Sequence, residues 1–319
     1  MLHLRIWIYI LSKLNVVPSV AVCLAVYKGM RWLPEQLGTI LNQHGVAVTV
    51  FVSVDASDDG SEAWIDEQAA GDSRIHVLAH GQRFGGAARN FFRLIRDVDF
   101  SEFDYVSFAD QDDIWLQEKL ERAVRKMGSA GADAYSSNVM AFWPDGRQRL
   151  IEKSYPQVQW DYLFESAGPG CTYVFTQSLA VAIQQFVKDH WDAVQLVGLH
   201  DWLAYAFARA NGFRWVIDDF AGMLYRQHDE NQVGANSGWR PFVYRARKVL
   251  DGWGLNQAGM IAQLVALGDD PFVRRWIGGG RLGALWLALH SNRCRRRARD
   301  RVLFGVSCVA IAIIGRPKQ

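Results

Sequence analysis

Four apolar, β-rich runs alternate with helical patterns over the first third of the chain, and two of them stop abruptly at clusters of acids. Ser19 to Val26 (SVAVCLAV) and Val48 to Val54 (VTVFVSV) are nearly continuous apolar runs, as expected of strands covered on both faces. Arg74 to His80 (RIHVLAH) reads as a third strand and Asp104 to Asp110 (DYVSFAD) as a fourth. Between them lie Leu33, Leu37, Ile40 and Leu41 at helical spacing, a short helix after the turn-rich DASDDGS, and the stretch GGAARNFFRLIRDV, a helix opened by glycines. This order predicts an α/β fold, a mainly parallel doubly wound sheet with its function at the carboxyl ends of the strands. The acids fall at those ends.

With 319 residues, half of them hydrophobic, the chain can bury one large core or one core plus an annex. A formal net charge of +2 gives no global attraction for nucleic acid. From about Trp239 strands fade and Leu/Ala/Arg-rich helical patterns take over, broken at Gly278 to Gly280. The expected organisation is an apolar N-terminal segment over 1–18, an α/β domain over 19–238 and a helical annex over 239–319. The cysteines, Cys23, Cys171, Cys294 and Cys308, form no CxxC pair, which suits reduced thiols in a cytosolic setting. The N-terminal MLHLRIWIYILSKL has no small-residue cleavage site and is shorter than the roughly 20 residues a spanning helix needs. Near the other end RCRRRARDR runs into VLFGVSCVAIAII. A basic cluster followed by a short apolar stretch suits a segment lying on an anionic membrane surface, and equally a buried helix with a solvated basic face. A cytoplasmic protein at the inner face of the cell membrane is expected, with a homodimer left open.

In Phe108-Ala109-Asp110-Gln111-Asp112-Asp113-Ile114-Trp115, three carboxylates stand within four positions immediately after a buried strand. Such a cluster repels itself unless a cation is bound, and hard oxygen ligands select Mg²⁺ or Mn²⁺. Alone it also suits a solvated turn whose acids favour the start of the following helix. Asp55 ends the second strand, where it can accept hydrogen bonds from a base or ribose edge. Asp201, in Leu199-His200-Asp201-Trp202, opens an apolar helical pattern. A carboxylate there can serve as a general base or as an ordinary helix-start residue. His228 is a candidate for the metal shell or for a phosphate oxygen.

The series AVCLAVYKG, SVDASDDGS, FGGAARNFF, FADQDDIW, GPGCTYVF, GLHDWLAYAFARANG and LYRQHDENQVGA resembles family 2 glycosyltransferases, especially bacterial rhamnosyltransferase-like members, over roughly residues 19–236. The resemblance implies a GT-A fold and an inverting transferase that moves a sugar, rhamnose from dTDP-rhamnose, to a surface-glycan or lipid-linked oligosaccharide acceptor. It implies that Asp110 and Asp112 form the DxD element, Asp110 toward the ribose or the ion and Asp112 as metal ligand, with Asp113 as a substitute. It places Val26, Tyr27 and Asp55 in the nucleotide-base pocket with Glu35 and Arg89 as neighbours. It assigns Asp201 as the base, and sets Cys171, Thr172, His200 and Trp202 around the acceptor and sugar. Lys28, where the family often has Asn, and Asp55-Ala56-Ser57-Asp58-Asp59, where it often reads DDGSTD, depart from the pattern. The competing reading is an inactive sugar-binding or scaffold protein of a glycan-assembly complex. A phosphohydrolase is set aside because its acid pair follows the first core strand, whereas this one follows a later strand.

Overall fold

The structure is a computed structural model, and it describes residues 17–228 and 252–315. In chain order, β1 (Ser19–Val26), α1 (Leu33–Leu41), β2 (Ala47–Val54), α2 (Ser61–Gly71), β3 (Ile75–Val77), α3 (Ala87–Asp97) and β4 (Tyr105–Asp110) form the predicted alternation. Then come β5 (Ile114–Trp115), α4 (Lys119–Ala130), β6 (Ala134–Phe142), β7 (Gln148–Ile151), β8 (Val174–Thr176), α5 (Gln177–Asp189), α6 (Trp191–Val194), α7 (His200–Ala210) and β9 (Trp215–Arg226). The annex contributes α8 (Trp253–Leu264), α9 (Pro271–Ile277), α10 (Gly280–Leu289), α11 (Ser291–Cys294) and α12 (Ala298–Ile314).

All strands belong to one sheet of order β3-β2-β1-β4-β8-β6-β9-β5, with β7 paired to β6. The half built from β3, β2, β1 and β4 is parallel throughout. Beyond β4 the sheet is mixed: β8 runs antiparallel to both β4 and β6, while β9 is parallel to β6. The register that matters for function pairs Val26 with Val54 and Ala25 with Asp110. Three strands therefore end along one edge.

β1 is buried on both faces and sorts its side chains by the two-residue period of a strand. Ala21, Cys23 and Ala25 enter one apolar cluster, and Val20, Val22, Leu24 and Val26 the other. At roughly 1.5–3 kcal/mol for each large aliphatic or aromatic side chain fully buried, this central strand fixes the sheet's register. The first cluster also takes in Phe91 of α3, Trp202 of α7, Ile261 of α8, Trp276 of α9 and Ile311 of α12, so the annex shares the core of the α/β domain.

The arginine run is divided between core and surface, with Arg297 and Arg299 exposed. Arg296 is buried, 3.2 Å from Asp161 and 3.5 Å from Glu165, and donates to the Ser166 carbonyl. Arg295 donates to the Phe164 carbonyl, and Arg301 back to the carbonyls of Arg295 and Arg296. The four cysteines are buried. Among the described residues no helix is long and apolar enough to cross a membrane. The apolar segment placed at 1–18, apart from its last two residues, and the boundary at 238/239 lie outside the described residues.

Candidate active site

The edge where β1, β2 and β4 end opens onto a cleft of about 880 Å³, lined among others by Tyr27, Asp55, Asp110, Asp112, Asp201 and His228. Its floor is stitched by side chains. Asp55, buried at the end of β2, accepts the amides of Phe84 and Gly85 at 2.8 and 2.9 Å. Gly85 takes a φ of +75°, a left-handed conformation that a glycine adopts without strain. Gln111 bridges to the backbone of Tyr27 from both ends of its amide, accepting from the nitrogen at 2.7 Å and donating to the carbonyl at 2.8 Å. Asn90 of α3 donates to the carbonyls of Val26 and Ser53, tying β1 to β2 just below the cleft.

The acid cluster lies across this edge. Burial, with the charges of Asp112 and Asp201 added, pushes the Asp110 carboxyl up to about 7. Asp113 is held well above the ordinary carboxylate range, again by burial first and by its acidic neighbours second. Asp112 lies 2.6 Å from the His228 ring, which stacks on Trp32 at 4.2 Å. Arg226, at the end of β9, fixes the turn by donating its amide to Asp113 and its Nε to the Asp112 carbonyl, and pairs with Glu35 at 2.5 Å. By donor chemistry alone, carboxylates and an imidazole suit a hard divalent cation. Asp112 and His228 already converge, and Asp110 is a carboxylate whose charge its surroundings leave uncompensated. Asp110, Asp113 and Cys171 also lie together, with ligand atoms within 4.8 Å of one another. In that second group burial raises the thiol well above its ordinary value, so it is a neutral, soft donor that suits Mg²⁺ or Mn²⁺ poorly.

On the opposite wall α7 begins. Asp201 stands in its first turn, accepts the Trp202 amide at 2.8 Å, and is pushed up to about 6 chiefly by burial. Before it, His200 stacks on Phe91 at 3.8 Å and is held neutral, its pKa pushed down to about 3 by burial. Gly170 packs so close to both that a β-carbon there would meet His200 Nε2 at 2.6 Å and Asp201 Cβ at 3.1 Å.

One cleft thus gathers the strand-end acids and the buried carboxylate of Asp201, and the sequence match places the chain. Residues 21–180 match the profile described as glycosyl transferase family 2. The chain belongs to that family. The dTDP-rhamnosyl transferase RfbG of Shigella flexneri is 41% identical to this transferase over 280 residues, spanning 88% of this chain and 96% of that protein. The succinoglycan biosynthesis protein ExoO of Rhizobium meliloti (strain 1021) is 25% identical over 224 residues, 66% of this chain and 61% of that protein. Among solved structures, S. aureus TarS 1-349 in complex with UDP-GlcNAc superposes with a TM-score of 0.55 at 14% identity, covering 92% of this chain and 89% of that one. That likeness is one of fold, GT-A.

The transferase's expected site residues fall into three groups. Val26, Tyr27, Asp55, Asp110, Asp112, His200, Asp201 and His228 line the cleft. Glu35 and Arg89 stand behind it, Glu35 paired with Arg226 and Arg89 donating to the Gln195 carbonyl. Cys171, Thr172 and Trp202 are buried. Thr172 donates to the Pro169 carbonyl, and Trp202 packs in the core with its indole nitrogen donating to the Tyr162 carbonyl, so Trp202 offers no face to a sugar. The residues missed from sequence are Gln111, Asn90 and Lys153. Gln111 is the unremarked middle of the acid motif. Asn90 is, with Arg93, a polar residue on the buried face of a largely apolar helix, a signal that was readable. Lys153 lines the cleft beyond β7 and its charge is felt at Asp201, which no local pattern announces.

Proposed function

We propose that this glycosyltransferase moves rhamnose from dTDP-rhamnose to a surface-glycan or lipid-linked oligosaccharide acceptor, with inversion at the anomeric carbon and with Mg²⁺ or Mn²⁺ as cofactor. The observation that carries the reading is Asp201. It is a carboxylate with a pKa near 6, on the wall of the cleft that also holds Asp110 and Asp112. The near full-length similarity to a dTDP-rhamnosyl transferase supports the choice of sugar and nucleotide.

In this reading Tyr27 and Asp55 border the base, Asp110 the ribose, and Asp112 with His228 and Asp110 would hold the ion. When bound, the ion would neutralise charge on the departing diphosphate. Asp201 accepts the proton of the acceptor hydroxyl as its oxygen forms a bond to the anomeric carbon. The bond from that carbon to the diphosphate oxygen breaks, and the nucleoside diphosphate leaves from the opposite face. A base with a pKa near 6 is ionised at neutral pH yet basic enough to take a proton late in the step. Gly170 packs directly against it, where a β-carbon would crowd its Cβ at 3.1 Å.

The test is donor turnover followed by NMR with dTDP-, UDP- and GDP-linked sugars, with Mn²⁺ or Mg²⁺ and then with chelator. Metal-dependent consumption of dTDP-rhamnose and a product of inverted configuration support the proposal; consumption of a different donor, or retention, defeats it. Asp201→Asn is expected to keep donor binding while turnover falls by about 10²-fold or more. In the unaltered enzyme the rate should fall as pH drops through about 6, because the base must be deprotonated. An undiminished Asp201→Asn enzyme would show that another group takes the proton.

A further inference from the structure

α10 and α12 form an antiparallel pair. A β-carbon on Gly315, just past the end of α12, would lie 3.1 Å from the guanidinium of Arg281 at the start of α10, and Gly305 faces the Ala288 carbonyl. The inner faces are buried through Ala284 and Leu287 on α10 and through Cys308 and Ile311 on α12. Each helix leaves a second apolar stripe uncovered. On α10 it is Leu282, Leu285 and Leu289, at i, i+3 and i+7, with 76% and 79% of the outer two exposed. On α12 it is Val302, Val306, Val309 and Ile313, at i, i+4, i+7 and i+11, with Ile313 72% exposed. Singly exposed aliphatic residues are ordinary, but an exposed apolar stripe on each of two adjacent helices is not.

The charge of this segment is predominantly positive. Residues 252–315 contain nine arginines and three aspartates, with no lysine or glutamate, a net of +6 (9 − 3) against +2 for the whole chain. Arg296 is consumed internally by Asp161 and Glu165, whereas Arg274, Arg275, Arg281, Arg297 and Arg299 are exposed.

We propose that this two-helix face binds an anionic lipid surface, the stripes entering the headgroup boundary and the exposed arginines meeting lipid phosphates. At about 1.5 Å per residue the 17 residues of α12 reach some 26 Å, short of the roughly 30 Å hydrocarbon core, so the helix lies along the surface. A second copy is the poorer occupant, since a self-complementary interface would set these arginines against one another. The proposal stands apart from the catalytic reading, because none of these residues lines the cleft.

The experiment is co-sedimentation of the full chain with vesicles of phosphatidylcholine alone and with phosphatidylglycerol added, at low and high salt. Binding to the anionic vesicles, weakened by salt, is expected. The double variant Leu282→Asp/Val306→Asp, at two solvent-facing positions, should bind at least about tenfold more weakly, with its circular dichroism and its solution donor binding unchanged. Arg297→Gln/Arg299→Gln should bind more weakly and with less salt dependence, which reads the charge half of the proposal without disturbing the apolar half. The proposal is overturned if the unaltered chain ignores anionic vesicles, if both variants bind as it does, or if sedimentation equilibrium finds a dimer that the aspartate variant dissociates.

Discussion

Around Gly170 the catalytic wall has no room for a methyl group. Its φ is not in the left-handed region, so the requirement comes from the neighbours alone, His200 Nε2 at 2.6 Å and Asp201 Cβ at 3.1 Å from a β-carbon placed there. His200 is clamped on Phe91, and Asp201 is tied to the first turn of α7, so neither can retreat without moving the base. Gly170→Ala is therefore expected to lower turnover by roughly 10-fold to 10²-fold, the scale of a displacement under 1 Å, while donor affinity stays the same. Steady-state kinetics beside calorimetric donor binding would check it, and parallel losses in both would mean the cleft as a whole had shifted. At this scale the sequence was most legible where chemistry is local. Asp110, Asp112 and Asp201 are readable because acids at a strand end or helix start are rarely needed for packing. Trp202, which the resemblance sets around the acceptor and sugar, is buried in the core, and in sequence a tryptophan beside an acid looks the same whether it faces a ligand or the core. Only the distant Tyr162 carbonyl, which its indole meets, decides.

Among the elements, the parallel half of the sheet was legible because strands buried on both faces must be continuously apolar, and each such run appears as one. The far half was not. β7 reads QRLI and is largely exposed, and β9 contains Asp218, which would argue against an interior strand. Its charge is answered by Arg122 at 2.7 Å and by the Tyr135 hydroxyl at 3.2 Å, partners 96 and 83 positions away that no window of sequence could supply. The arginine run before α12 teaches the same lesson in reverse, since it looked solvated and Arg296 is inside. Cutting one partner from a buried pair costs about 3–5 kcal/mol in general. Here Asp161 would keep Tyr205 at 2.8 Å and Arg209 at 3.2 Å, so Arg296→Met is expected near the lower end, about 3 kcal/mol. Urea unfolding of the variant would measure this. A loss under about 1 kcal/mol would place Arg296 among the weak surface pairs instead.

For the whole molecule, the annex could be an appended module or an integral part of the enzyme, and the core decides between them. The cluster holding Ala21 of β1 and Phe91 of α3 runs without a break through Trp202 and Tyr205 to Leu255, Ala258 and Ile261 of α8, then to Phe272, Trp276 and Leu287. Gln257 of α8 accepts the Gly198 amide at 2.9 Å, two residues before the helix that carries Asp201. Trp160, ahead of the Asp161 turn, stacks flat on Phe272 at 4.9 Å. The annex thus packs against α7, and removing it would expose the aromatic and aliphatic residues that hold α7 in place. A single cooperative transition is expected for the full chain, with calorimetric and van't Hoff enthalpies in agreement. A chain truncated after residue 251 is expected to lose that transition, to expose apolar surface and to bind donor weakly. Separate donor-shifted and donor-insensitive transitions, or a truncated chain that binds donor as the full one does, would make the annex an independent unit.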